Sequence, residues 1–191
     1  MMKHFFLFLG LTFSVLSGFA QEFKWDVNAG YLHATARLKG EYADFNIYTP
    51  DDPFLTGSFS TTDTYTGFYV GIGGQYKFEG ALALSGHVNY ARYAESSFLQ
   101  IPLALHYYLA DSGFNIFAGP QLTYDIEDIA VYDSGDLARL NIGAGGGVGY
   151  EFSKNLFLEA RYTFQLNNFF QIDTTFTYRT NYLNIGLGYR F

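Results

Sequence analysis

The sequence predicts an all-β fold, a closed, antiparallel, up-and-down transmembrane β-barrel of about eight strands. Three observations lead there. Apolar residues alternate with small or polar ones at a period of two over many segments, 20% of the residues are aromatic while 15% are charged, and an export-type leader stands first. Ordinary soluble domains carry roughly 25% charged residues, so a chain this aromatic and this poor in charge has apolar surface to place outside a core. After the leader no apolar run approaches the roughly 20 residues of a helical span. Any membrane crossing must therefore be made by strands.

The leader has Lys3 and His4, an apolar run from Phe5 to Leu16, and small residues ending in Gly18-Phe19-Ala20. This is the pattern of a cleaved secretory signal peptide over residues 1–20, with the cut expected between Ala20 and Gln21. Residues 21–191 then form the barrel domain. Gln21 stands where a lipoprotein signal would have cysteine. The chain has no cysteine at all, which removes disulfides, thiolate nucleophiles and Cys-based metal sites together. A net charge of -7 with no basic stripe argues against nucleic acid as a partner.

Strands are expected near residues 25–38, 66–78, 82–94, 97–109, 114–126, 138–152, 156–169 and 180–191. In the first, the alternation slips after Tyr31, where a bulge is expected. The second sends Phe68, Val70, Ile72, Tyr76 and Phe78 outward against Tyr69, Gly71, Gly73, Gln75 and Lys77. The third points Ser85 and His87 inward. In the fourth, Leu99, Ile101, Leu103, Leu105, Tyr107 and Leu109 oppose Gln100, Pro102, Ala104, His106 and Tyr108. The sixth and seventh follow the same rule, Leu140 to Phe152 against Asn141 to Glu151, and Leu156 to Leu166 against Glu159 to Asn167. In the eighth, Leu183, Ile185, Leu187, Tyr189 and Phe191 oppose Asn184, Gly186, Gly188 and Arg190.

Short turns at Glu79-Gly80, Ala110 to Gly113 and Ser153 to Asn155 contrast with longer loops at 39–65, 127–137 and 168–179, while 91–97 reads as a plain hairpin. Such asymmetry is that of an outer-membrane barrel with both termini on the periplasmic side. Pro102 and Pro120 fall inside strands, where a bulge or a missing ladder bond is expected at each. Trp25, Tyr76, Phe78, Tyr150, Phe152, Tyr189 and Phe191 form one expected aromatic girdle. Phe68, Tyr90, Phe98, Tyr124, Phe164 and Tyr182 form the other.

The stretches Leu99 to Leu109 (LQIPLALHYYL), Ala118-Gly119-Pro120-Gln121-Leu122 and Gly186 to Phe191 (GLGYRF) resemble the small porin-family outer-membrane β-barrel domain. The resemblance covers essentially the whole chain after the leader. It implies a bacterial outer-membrane location, contact with outer-membrane lipids and lipopolysaccharide, and handling by periplasmic chaperones and the barrel-assembly machinery. Tyr189 and Phe191 resemble the terminal signal which that machinery reads. The resemblance identifies a fold and no activity.

An eight-stranded lumen is only wide enough for side chains to fill. Inward glycines on the second, sixth and eighth strands are expected to make room for bulky groups from the others. Asp26, Lys77, Glu151, Glu159, Arg161 and Arg190 all project inward, and buried charges persist when paired, so an internal ion-pair plug is expected. A narrow ion or solute path is the alternative. Ser85 and His87, with His106 on the next strand, have the residue types of an acyl hydrolase, but a lipid-cleaving site should face the bilayer. Gly71 to Gly74 and Gly143 to Gly149 lack the G-x-G-x-x-G spacing and a following helix. The acidic residues Glu41, Asp44, Asp51, Asp52, Asp63, Glu127, Asp128, Asp133 and Asp136 read as solvated loops instead of a cation site. No catalytic, cofactor-binding or metal-ligating set is expected, and the protein reads as a non-enzymatic structural or surface-interaction barrel, its loop partner unspecified.

Overall fold

The computed structural model describes residues 22–44, 55–126, 139–169 and 176–191. The leader, Asp51, Asp52, Glu127, Asp128, Asp133 and Asp136 lie outside them. Eight strands run in chain order, β1 (Glu22–Asp44), β2 (Leu55–Lys77), β3 (Leu82–Tyr93), β4 (Ser96–Tyr108), β5 (Phe114–Asp125), β6 (Leu140–Glu151), β7 (Leu156–Gln165) and β8 (Phe176–Arg190), with a 3-10 turn at Ala110–Ser112. Every strand pairs with its sequence neighbour, and β8 returns to β1, closing an antiparallel barrel. Val27 stands opposite Tyr189 and Asp26 opposite Arg190, while the Phe191 amide donates to the Trp25 carbonyl at 2.9 Å. Closure removes the free edges that an open sheet would present to lipid.

The alternation places the two chemistries where the sequence puts them. Trp25, Ile72, Leu103, Leu105, Val148, Phe164 and Leu187 are all exposed on the outer wall, whereas Gln75, Gln100, His106, Asn115, Gln121 and Thr163 are buried inside. Aromatic pairs line the short-turn end of that wall, with ring centroids 5.0 Å apart for Tyr76 and Phe78, 5.0 Å for Tyr150 and Phe152 and 5.3 Å for Tyr189 and Phe191. The opposite girdle includes Phe68, Tyr124 and Phe164, but not Phe98 and Tyr182, which are buried in the lumen. Their phase explains the correction. Phe98 is in step with Gln100 and His106 on β4, and Tyr182 with Asn184 and Arg190 on β8, so the period of two aims both inward.

The first strand departs most from expectation. No bulge follows Tyr31: the β1–β2 ladder holds one register from Glu22 opposite Lys77 to Asp44 opposite Leu55, and the β1–β8 ladder holds its own from Asp26 to Gly40. What changes at Tyr31 is chemistry. Below it Trp25, Val27 and Tyr31 point out; above it Leu32, Ala34 and Ala36 are buried inside, while Arg37 and Lys39 are exposed outside. β2 inverts at the same level, with Phe68 outward below and Thr66, Thr64 and Thr62 outward above, and β8 inverts between Leu183 and Asn181. An apolar outer face suits hydrocarbon and a polar one suits water, so the outer wall of these three strands is fit for lipid below this line and for water above it. The segment expected as a 39–65 loop is thus largely a strand pair, with β2 meeting β3 only from Gly67 to Lys77. Its Thr and Ser residues on both sides erase the hydrophobic alternation while remaining good strand formers.

Neither proline introduces a bulge. The β4–β5 register is the same before and after the unpaired step at Leu103–Ala104 and Gly119–Pro120, and the β3–β4 register is the same across the gap facing Pro102. Each proline lacks ladder pairing on one side only, Pro102 toward β3 and Pro120 toward β4, the milder of the two expected outcomes. The hairpin between β3 and β4 turns at Ala94 and Glu95, with Ala94 at φ 47°. A Cβ is disfavoured there, so Ala94→Gly should stabilise the barrel by about 0.5–1 kcal/mol after its entropic cost. Urea unfolding from lipid vesicles measures it, and a loss of stability would contradict the assigned strain.

Candidate functional site in the barrel lumen

The inward residues stack as layers between the short-turn end and the hairpin end. Lys77, Glu151 and Arg190 end β2, β6 and β8 and so meet at the short-turn mouth. Arg190 Nη1 donates to Glu151 Oε1 at 2.6 Å, and Lys77 Nζ lies 3.8 Å from Glu151 Oε2. Tyr108 Oη is 2.5 Å from Glu151 Oε1 and 3.0 Å from Gln75 Oε1. A phenol has one proton to give, and the carboxylate is the stronger acceptor; the Gln75 amide then suits the site with its NH₂ turned to Oη. The cations also lie over rings, Lys77 Nζ 4.1 Å from the Tyr108 centroid and Arg190 Cζ 4.8 Å from that of Phe157.

Deeper in, Asp26 Oδ1 accepts from His87 Nε2 at 2.9 Å. Ser85 Oγ donates to His106 Nε2 at 2.7 Å, and His106 Nδ1 donates to Asn115 Oδ1 at 3.0 Å, with the His106 proton placed on Nδ1. Ser85 therefore pairs with His106 and not with His87, its neighbour in sequence. The order hydroxyl, imidazole, amide has the geometry of an activated nucleophile. It is walled in, however, with His106 at 0% exposure and its ring centroid 4.9 Å from that of Phe117. A nucleophile needs room for substrate, and this one faces packed protein.

Arg161 lies further along β7, its Cζ 4.7 Å from the Phe117 centroid and its Nη1 buried without a hydrogen-bond partner among the described residues. Glu159 occupies the same inward row, but no ion pair joins it to Arg161 among the described residues. The six charges expected in one network thus divide into a linked mouth cluster (Lys77, Glu151, Arg190), an Asp26–His87 pair, and Arg161 and Glu159 between polar layers. Above them come neutral bonds: Asn184 to Gln100 at 2.9 Å, Thr163 to Gln121 at 3.1 Å and Gln165 to Asn141 at 2.8 Å. Glycines leave the space these groups use. A Cβ at Gly73 would overlap the His87 ring, at Gly147 the Phe117 ring, at Gly149 the Asn115 amide, and at Gly188 the Phe157 ring.

The hairpin end closes with an apolar layer that sequence reading did not single out. Leu32, Ala34, Tyr69, Ala91, Phe98 and Tyr182 form one buried cluster with Tyr93 against it. Leu32, Ala34 and Ala91 have 0% exposure and Phe98 1%. Phe98 lies 5.5 Å from Tyr182 and 5.3 Å from Tyr93 between ring centroids, and Tyr65 stacks on Tyr93 at 5.4 Å. The signal for it in the sequence is the inward phase of Leu32, Phe98 and Tyr182, which holds because the break after Tyr31 is a change of medium and not of register.

The family model described as outer membrane protein beta-barrel domain matches residues 19–171. Among solved structures, Neisserial surface protein A is 21% identical, with 85% of this chain and 99% of that chain covered and a TM-score of 0.43. The outer membrane protein OprG from Pseudomonas aeruginosa is 15% identical, covering 88% and 95%, with a TM-score of 0.46. Ail, the attachment invasion locus protein of Yersinia pestis, solved with the heparin analogue sucrose octasulfate, is 16% identical, covering 90% and 100%, with a TM-score of 0.44. No curated protein matches the chain.

Proposed function

Because the chain belongs to the outer membrane protein β-barrel domain family, we propose that it is a closed, non-enzymatic barrel of the bacterial outer membrane that works through its hairpin end. The inversion of polarity beyond Tyr31 carries this reading. One and the same switch turns Leu32, Ala34 and Ala36 into the lumen, where apolar side chains exclude water, and turns the outer faces of β1 and β2 polar, lifting their hairpin clear of lipid. The lumen charges Asp26, Lys77, Glu151, Glu159, Arg161 and Arg190 then act as a lower plug and not as an ion path. Glu22 and the other strand ends at the short turns face the periplasm, after removal of residues 1–20 as a signal peptide, with the extended hairpin outside the cell. Tyr189 and Phe191 serve assembly, presenting the outward aromatics of β8 to the barrel-assembly machinery.

Reconstituted wild-type protein should produce no stepwise conductance in planar bilayers. Steady single-channel openings that change with Arg161→Ala would replace this reading by the narrow-channel one. On cells, a variant in which residues 41–58 are replaced by a two-residue turn should keep the heat-modifiable gel mobility of a folded barrel and lose contact with surface partners. Unchanged surface binding by that variant counts against the hairpin as the contact element.

A further inference from the structure

Arg37 on β1 stands directly opposite Arg179 on β8, both side chains on the outer wall, with Lys39 the next outward residue of β1. Like charges placed opposite each other destabilise a sheet. The flanking outward positions do not relieve this: Arg37 faces Thr62 on its other side, Lys39 faces Ser60 and Thr177, and Glu41 is the one carboxylate on these outward rows. In a chain with a net charge of -7, three outward cations gathered against the single carboxylate of Glu41, which lies beyond Lys39 and away from the Arg37–Arg179 pair, are an arrangement that folding alone does not favour. Outward cations within the strands, these three together with Arg92, all lie at the hairpin end, just past the line where the outer wall turns polar.

The same cations border apolar surface. Arg37, Lys39 and Arg179 line an outer-wall groove of about 360 Å³ together with Tyr162, Phe164 and Leu166, the last outward residues of the apolar band on and after β7. A ligand in this groove meets hydrocarbon at one end and a guanidinium pair at the other. Two arginines at facing register positions in one groove can each offer parallel N–H donors to the oxygens of a phosphate.

We infer that this groove binds the phosphorylated headgroup of a glycolipid of the lipopolysaccharide type, with Arg37 and Arg179 clamping a phosphate, Lys39 adding charge, and an acyl chain lying along Phe164 and Leu166. The phosphate neutralises the Arg37–Arg179 repulsion, so lipid and barrel stabilise one another. The assignment deepens the proposed function and rests on the hairpin end facing the outer leaflet.

The test is binding by purified, detergent-folded barrel to lipopolysaccharide, to the same lipopolysaccharide treated with phosphatase, and to inorganic phosphate. Wild-type protein should prefer the phosphorylated form roughly tenfold or more, with R37Q/R179Q losing that preference, and inorganic phosphate at millimolar concentration should not displace the lipid. Equal binding of both lipid forms by wild type, full binding by R37Q/R179Q, or displacement by free phosphate overturns the assignment. The variant Arg37→Glu keeps the test independent of folding. It places opposite charges across the β1–β8 pair, so it should melt higher than wild type in lipid-free detergent while binding lipopolysaccharide more weakly; a lower melting point together with unchanged binding overturns the clamp. Orientation fails separately, because detergent has no sides. In a protein without native cysteine, maleimide labelling of Ser60→Cys on intact cells reports which way the hairpin faces.

Discussion

Phe98→Ala should lower the stability of the folded barrel by about 3–5 kcal/mol, the usual cost of removing a fully packed aromatic ring. Phe98 is the largest of the fully buried side chains among the described residues, contacts Tyr93 and Tyr182 at ring-centroid distances of 5.3 and 5.5 Å, and sits with Leu32 in the apolar layer at the hairpin end. The rest of the layer belongs to β1, β2, β3 and β8, held at fixed spacing by ladder hydrogen bonds, so it collapses little into the space left behind. Phe98→Leu keeps most of the volume and should cost less than about 1.5 kcal/mol. Equilibrium unfolding in urea from lipid vesicles distinguishes the two. A loss below about 1 kcal/mol for the alanine variant would mean the ring is not packed as described. The same pair bears on the seal: the alanine variant should admit small solutes to the upper lumen, read as faster hydrogen exchange at Gln100 and Asn184, while the leucine variant should not.

Glu151→Gln is expected to cost about 2–4 kcal/mol, because it leaves Arg190 without its countercharge inside the barrel mouth. Arg190 is only 7% exposed at its side chain, whereas Lys77 at 41% can turn to water, so nearly all of the penalty falls on the arginine. The figure stays at the lower side of the range for broken buried pairs since Glu151 keeps 15% of its side chain accessible and solvent screens what remains. Replacing both partners, with Glu151→Leu and Arg190→Met, should recover most of the loss, as apolar pairs of similar volume often substitute for a buried ion pair. If Glu151→Gln and the double variant are equally unstable, the mouth cluster contributes through packing and not through charge. A Tyr108→Phe cycle with Glu151→Gln then apportions the phenol hydrogen bond, whose coupling should fall near 0.5–3 kcal/mol.

Both effects reside in residues that the sequence handled unequally. Glu151 and Arg190 were legible as inward charges, since a strand period of two needs no tertiary information to say which residues share a face. Phe98 and Tyr182 carried the same legible phase, but aromatic identity suggested an interfacial girdle, and identity outweighed phase. Ser85 and His87 were both correctly turned inward, yet their partners, His106 and Asp26, lie on other strands, and pairing depends on how far each strand slides past the next. The bulge expected after Tyr31 came from the assumption that one wall faces one solvent throughout. Chain periodicity is blind to that difference: a one-residue slip in register and a passage from lipid to water produce the same shift in which positions are apolar.

The sequence by itself determined that the chain makes about eight antiparallel membrane strands and, where the alternation is unbroken, which side of a strand faces lipid. These follow from alternation and composition, which are local. Only the tertiary structure decided that β1, β2 and β8 change face chemistry at a common level, that an apolar layer seals the lumen there, and that Arg37 and Arg179 stand opposed on the outer wall. Those are properties of register between strands far apart in sequence, and register is fixed by the closed ladder as a whole.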